Sequence, residues 1–286
     1  MTTQWERTVR AVAEAPVVLV IGESDTGKTT LVTALANAAL AAGRAVGILD
    51  TDLGQSEIGP PTTAGLGRVT APIGRPADAT VLALEFVGVT SPARNVLGAL
   101  VAARRLADRA RAAALDRLVV DTSGLVAGGL GRILKQAKIE LLDPDVVIAL
   151  ERGDECEAIL GPYARGARPR VVRLRAVATR RRTQDERRRF REERLAAHFA
   201  GARDVALDLT RVTVRLPGGE VAADAGAVAA FAGRLTGLED ETRRTLGLGV
   251  VRAIEDGRRL RVFTAVPAGV TTVRIGRESY GGGGQT

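Results

Sequence analysis

The chain has 286 residues, 41 basic and 33 acidic, and a formal charge of +8. One cysteine, Cys156, excludes an internal disulfide framework and a cysteine zinc site. No apolar run reaches the roughly twenty residues that a membrane-spanning helix needs, and residues 1–10 lack the apolar centre of a signal peptide, so a cytoplasmic protein with no membrane partner is expected. The charge suits a polyanionic partner such as nucleic acid, and it equally suits an arginine-rich proteome. Aromatic residues make up 3% of the chain, so the core must come from Ala, Val, Leu and Ile.

Residues 1–15 read as an N-terminal extension. Residues 16–21, Pro-Val-Val-Leu-Val-Ile, read as a buried strand. Gly22-Glu-Ser-Asp-Thr-Gly-Lys-Thr29 then fits the phosphate-binding pattern G-x-x-x-x-G-K-[ST] at every position. Residues 30–42 read as a helix ended by Gly43. A strand, a glycine-bounded loop and a helix start gather backbone N–H groups around one point, which draws the β- and γ-phosphates of a nucleotide. Gly22, Glu23, Ser24, Asp25, Thr26, Gly27, Lys28, Thr29 and Thr30 are the candidate nucleotide-binding residues. Lys28 would bring a full charge to the phosphates, and the Thr29 hydroxyl would ligate Mg²⁺. Lys28, Lys135 and Lys138 are the three lysines in a chain that otherwise uses arginine. A planar guanidinium does not replace a slim ammonium inside a tight phosphate loop.

A second strand is expected at 44–49, ending at Asp50, and a third at 81–87. Residues 92–114 read as a helix capped by Ser91, and 117–120 as a strand ending at Asp121. A helix at 130–142 and strands at 145–150 and 171–174 complete the alternation. The fold class is α/β: a P-loop NTPase with a mostly parallel sheet flanked by helices, its ligands beyond the carboxyl ends of the strands. The loop, Asp50, Asp52 and Asp121 all fall at that edge.

Residues 179–200 form an arginine-dense segment. If it is helical, Arg180, Arg187, Arg191 and Arg194 share one face. The segment is either a solvated helix balanced by Asp185, Glu186, Glu192 and Glu193, or a lid. From 204 to 280 the pattern shortens to a small β-rich part, with strands at 212–214, 250–251, 260–264 and 270–275. Residues 281–286 read as a flexible tail. The main P-loop domain, arginine-rich segment included, is expected at 16–203. His198 reads as a packing residue.

Asp50-Thr-Asp52-Leu-Gly54-Gln55 places two carboxylates just past a strand end. One could hold Mg²⁺ or its waters while the other deprotonates an attacking hydroxyl. Asp121 is either Mg²⁺-linked or part of strand-end turn chemistry. Phosphoryl transfer also needs positive charge over the migrating group, which the arginine-dense segment could supply.

Several segments, in order, resemble the polynucleotide 5′-hydroxyl kinases of RNA processing. They are Ser24-Asp-Thr-Gly-Lys-Thr-Thr30, Asp50-Thr-Asp-Leu-Gly-Gln55 with Pro60-Pro61, and Phe86-Val-Gly-Val-Thr-Ser-Pro-Ala-Arg-Asn95. Asp121-Thr-Ser-Gly124, Asp143-Pro-Asp-Val-Val-Ile148, the Arg182/Arg187 pair, Gly237-Leu-Glu-Asp240 and Leu246-Gly-Leu-Gly-Val250 continue the match. The resemblance covers roughly residues 16 to 275. It implies that Lys28 and Thr29 serve ATP and Mg²⁺, and that Asp52 activates a 5′-hydroxyl at the end of RNA or DNA. It implies that Arg182 and Arg187 stabilise the transferring phosphoryl group, and that Gln55, Thr122, Ser123 and Gly124 position the acceptor. Thr29, Asp50, Asp52 and Asp121 are the candidate Mg²⁺ residues. Leu125 stands where the family often has a tryptophan that stacks on a terminal base. The loop strand begins near Pro16, so a minimal kinase without the eukaryotic members' N-terminal β domain is expected. Two other readings use the same loop: an ATPase coupled to a protein partner, and an inactive ATP-bound RNA-binding scaffold. No Asn-Lys-x-Asp guanine motif is present.

Overall fold

The structure, a computed structural model, describes residues 4–176, 180–266 and 268–281. Residues 1–3 of the expected extension, Thr179 at the start of the arginine-rich segment and residues 282–286 of the expected tail lie outside the described residues. Helix α1 (Gln4–Ala11) precedes β1 (Val17–Gly22), the phosphate loop and α2 (Lys28–Ala41). Then come β2 (Val46–Thr51), β3 (Thr63–Val69), β4 (Thr80–Phe86), α3 (Val96–Ala112) and β5 (Arg117–Thr122). Helix α4 (Gly128–Leu142), β6 (Val146–Glu151), the short α5 (Glu157–Leu160) and β7 (Arg170–Arg175) follow.

The expected parallel sheet is the run β7-β6-β1-β5-β2. Strands β1, β2, β5 and β6 are buried almost throughout, as a sheet covered on both faces requires. On one side, Leu19, Ile21, Leu49 and Val120 pack with Ala99, Leu106, Leu134 and Ile139 from α3 and α4. On the other, Val18, Val20, Ile48 and Val119 pack with Leu31, Val32, Leu35 and Ala39 of α2. The register of β2 on β5 sets Asp50 opposite Asp121 and Thr51 opposite Thr122. That pairing brings the two acidic strand ends to one place.

Two local readings change. β3 was not expected, because Gly65 and Gly67 break its apolar run. A Cβ at Gly65 would lie 2.0 Å from the Ile58 carbonyl oxygen, so the strand needs glycine where the loop before it folds back. Ser91 makes no side-chain cap bond; it precedes a single 3₁₀ turn at Pro92–Arg94. Asn95 caps α3 instead, accepting from the Gly98 N–H at 2.9 Å.

The arginine-dense segment forms α6 (Gln184–His198). Thr183 caps it in a reciprocal box with Glu186, so Arg180 and Arg182 precede the helix and do not share its face. Strands β8 (Arg203–Asp208) and β9 (Thr213–Arg215), helix α7 (Ala225–Ala229), and β10 (Arg234–Glu239), β11 (Thr245–Glu255), β12 (Arg259–Thr264) and β13 (Thr272–Ser279) complete the described chain. The whole is a mixed sheet. Beyond β2 it continues antiparallel through β3 and β4 to β11, where Thr245 pairs with Leu84. The C-terminal strands are therefore the far half of the same sheet. They also hold the base of α6: Leu195 and Phe199 pack with Phe86, Leu235, Leu248 and Val250. His198 Nε2 accepts from the Leu248 N–H at 3.2 Å, a packing role.

Candidate active site

The phosphate loop leaves β1 and enters α2 with left-handed backbone at Asp25 (φ 56°) and Gly27 (φ 91°). Those turns and the free N–H groups of the first turn of α2 make an anion-binding concavity. Lys28 is buried, and its Nζ spans the loop to donate to the Glu23 carbonyl at 2.6 Å. Burial pushes its pKa down, while Asp121, Asp52 and Asp25 pull the other way. Thr26 donates its hydroxyl to the same carbonyl at 2.9 Å. Arg152, in the turn after β6, supports the loop from below. It pairs with Glu23 at 3.2 Å and donates to the carbonyls of Ser24 and Asp25.

A cavity of about 280 Å³ opens over the loop. Ser24, Asp25, Gly27, Lys28, Thr29 and Thr30 form its floor; Asp52, Gln55, Glu57 and Thr122 form one wall. Arg180, Arg182 and Arg187 form the roof. Gly22, Glu23 and Thr26 shape the loop without lining the cavity.

The acidic candidates separate into distinct positions. Asp52 lines the cavity, and its Oδ1 accepts from the N–H groups of Gly54 and Gln55 at 3.0 Å each. Asp50 stands behind it, 2% exposed. Its Oδ1 accepts from the Asp52 N–H at 2.9 Å, and its Oδ2 from Glu57 and Ile58 N–H at 2.6 and 3.1 Å. Burial pushes the Asp50 carboxyl up to about 8, reinforced by Asp121 and opposed by the backbone donors. Asp50 thus shapes the loop that presents Asp52, and both its oxygens are engaged there, away from the cavity. Asp121 Oδ2 accepts from the Thr29 hydroxyl at 2.9 Å, the contact that joins the phosphate loop to β5. Burial raises its pKa; Lys28 and Thr29 oppose the rise.

The other acceptor-side candidates lie around Asp121. A Cβ at Gly124 would fall 2.2 Å from Ser24 Oγ, so glycine is needed for the β5 loop to lie on the phosphate loop. Ser123 is buried beside it and does not line the cavity.

Lys135 and Lys138 were not expected to take part. Both are fully buried in α4. Lys135 donates to Thr122 Oγ1 at 2.9 Å and to the Ser123 carbonyl at 2.5 Å. Lys138 donates to Thr51 Oγ1 at 2.6 Å, and Thr51 donates to the Asp121 carbonyl at 2.7 Å. Two buried lysines therefore stand behind the carboxylates; burial pushes both lysine pKa values down, and Asp52 and Asp121 pull them back up. The sequence did carry a signal: every lysine in an arginine-dominated chain converges here.

The roof is tied down by the loop's own acid. Arg187 Nη2 meets Asp25 Oδ2 at 2.6 Å, and the Arg182 N–H donates to the same oxygen at 3.1 Å. Arg182 Nη1 donates to Gln55 Oε1 at 3.3 Å. Arg194 holds the Glu57 and Gly59 carbonyls at 2.6 and 3.1 Å. Among the described residues no group of three or more His, Cys, Asp or Glu side chains forms a metal cage. No helix of the described residues is long and apolar enough to cross a membrane.

The family model for the P-loop of mRNA cleavage and polyadenylation factor CLP1 matches residues 22–201. The polyribonucleotide 5′-hydroxyl-kinase of Pyrococcus furiosus is 34% identical over 198 residues, covering 69% of this chain and 54% of the relative. That of Methanocaldococcus jannaschii is 34% identical over 203 residues, covering 68% and 55%. The chain thus matches about half the length of these curated relatives. A solved Clp1p–Pcf11p complex superposes with a TM-score of 0.72 at 14% identity, covering 96% of this chain and 77% of that one, and so shares the fold. With its nucleotide-binding loop, Asp52 turn and arginine roof in one sheet-edge cavity, the chain belongs to the CLP1 P-loop family.

Proposed function

We propose that this protein is an ATP-dependent polynucleotide 5′-hydroxyl kinase. It moves the γ-phosphate of ATP to the 5′-OH end of a nucleic acid in the cytoplasm. One observation carries the reading: Arg182 and Arg187 roof the same cavity that Lys28, Thr29 and Asp52 line. An ATPase coupled to a partner uses the loop and the aspartate but needs no paired arginines over the phosphates. The names of the archaeal relatives, polyribonucleotide 5′-hydroxyl-kinases, support RNA as the acceptor.

The roles follow from position. Lys28 and the N–H groups of residues 24–30 would hold the β- and γ-phosphates. Asp52 would accept the proton of the attacking 5′-hydroxyl as its oxygen bonds to the γ-phosphorus. The bond from that phosphorus to the β-bridging oxygen breaks, and ADP leaves. Arg182 and Arg187 would spread positive charge over the equatorial oxygens. Gln55 and Thr122, which line the cavity, would guide the acceptor end, with the Ser123–Gly124 turn packed behind them. Thr29 and Asp52, which line the cavity, would hold Mg²⁺, with Asp121 behind them orienting the Thr29 hydroxyl; the metal would supply further charge neutralisation. The small number of these side chains suits a metal held chiefly by phosphates and water.

The test is incubation with ATP, Mg²⁺ and matched 5′-hydroxyl RNA and DNA oligonucleotides, followed by mass measurement of the oligonucleotides. A gain of one phosphate at the 5′ end is expected. ATP hydrolysis with both oligonucleotides unchanged favours the partner-coupled ATPase, and neither reaction favours the scaffold.

A further inference from the structure

The residues described so far account for a nucleotide's phosphates and leave its base without a seat. Strands β6 and β7 end on the side of β1 away from β5, which carries Asp121, and β2, which Asp52 follows. With the γ end directed to Asp52, the nucleoside end runs toward β6 and β7.

Trp5, the chain's one tryptophan, stands on that side. Its indole N–H donates to the Arg175 carbonyl at the end of β7, at 3.3 Å. The six-membered ring of the same indole reaches the phosphate loop with the side next to that N–H. A methyl group built on Gly27 would lie 3.1 Å from Cη2 and 3.8 Å from Cζ2. The ring therefore bridges the loop and the end of β7, and glycine at 27 permits the approach. It is half-buried, resting on the α2-side core, while most of the rest of α1 is polar and exposed. A large apolar ring at the edge of a phosphate loop, with its one donor already satisfied, offers a π-face to a flat ligand.

We propose that Trp5 is the stacking platform for the nucleobase of the bound nucleotide, which makes α1 part of the nucleotide site. The inference rests on the nucleotide-binding reading above.

The single tryptophan makes the test direct. The full chain is titrated with ATP–Mg²⁺ and with inorganic tripolyphosphate–Mg²⁺, following tryptophan emission and, separately, binding heat. Both ligands are expected to bind, with ATP quenching the emission and tripolyphosphate leaving it unchanged. Trp5→Ala should weaken ATP binding about ten-fold, leave tripolyphosphate affinity unchanged, and be largely rescued by Trp5→Phe. ATP binding with silent emission, or equal losses for both ligands in Trp5→Ala, would overturn the inference while the proposed function stands. Failure of both ligands to bind the unaltered protein would overturn the proposed function and this inference together.

Discussion

Arg187 on α6 and Asp25 in the phosphate loop form an ion pair, Nη2 to Oδ2 at 2.6 Å, across the mouth of the cavity. The pair is partly exposed, so its contribution to stability is small. Its importance is positional. A carboxylate of the phosphate loop holds the arginine where an incoming triphosphate would compete for it.

If Arg187 stabilises the transferring phosphoryl group, Arg187→Ala should lower kcat by about 10³ with a much smaller change in ATP affinity. Arg188→Ala is the control, because Arg188 pairs with Asp185 and Glu192 on its own helix at 3.4 and 3.8 Å. Steady-state kinetics of the two variants decide the matter. Equal small losses would mean that α6 is a solvated basic helix.

Asp25→Asn removes the charge that meets Arg187. Without nucleotide, trypsin should cut among residues 180–194 several-fold faster than in the unaltered protein, and ATP should restore protection. An unchanged cleavage rate would show that the base of α6, through Leu195 and Phe199, holds the roof without help from the loop.

Asp52→Asn separates binding from chemistry. The amide oxygen can still accept from Gly54 and Gln55, so the turn should survive. Nucleotide affinity should stay within a few-fold while turnover falls by about 10² or more, as loss of a general base implies. Near-normal turnover would move the proton-accepting role away from Asp52.

The phosphate loop was legible because its chemistry is written in eight consecutive residues, with a strand before and a helix after. Asp52 and Asp121 were legible as strand-end acids. The division of labour between Asp50 and Asp52 was not, because it depends on residues 52–58 folding back over Asp50 and spending its oxygens on backbone donors. Arg152 and Trp5 meet the loop from distant parts of the chain, so no local pattern announces them. The C-terminal strands were visible as β-structure. Their membership of the same sheet rests on β4 pairing with β11, a long-range register that periodicity does not encode.

Lys138 links the site to stability. Burial pushes its pKa down to about 8, below the value of about 10.4 for an unfolded lysine. Between those values the unfolded chain keeps a proton that the folded chain has released, so this residue makes stability rise with pH across that window. Urea unfolding at pH 7.5 and 9.5 should show a smaller pH-dependent gain in Lys138→Met than in the unaltered protein. Parallel gains in both proteins would assign the pH dependence to other groups.

The most direct test of the account is the fate of the γ-phosphate in a single turnover. Enzyme in excess is mixed with γ-labelled ATP, Mg²⁺ and an RNA that carries either a 5′-hydroxyl or a 5′-phosphate. With the 5′-hydroxyl RNA, label should move to the RNA faster than it appears as free phosphate, and with the 5′-phosphate RNA no transfer should occur. Release of free phosphate at the same rate with either RNA, and no labelled RNA in either case, would contradict a kinase built from Lys28, Asp52 and the arginine roof.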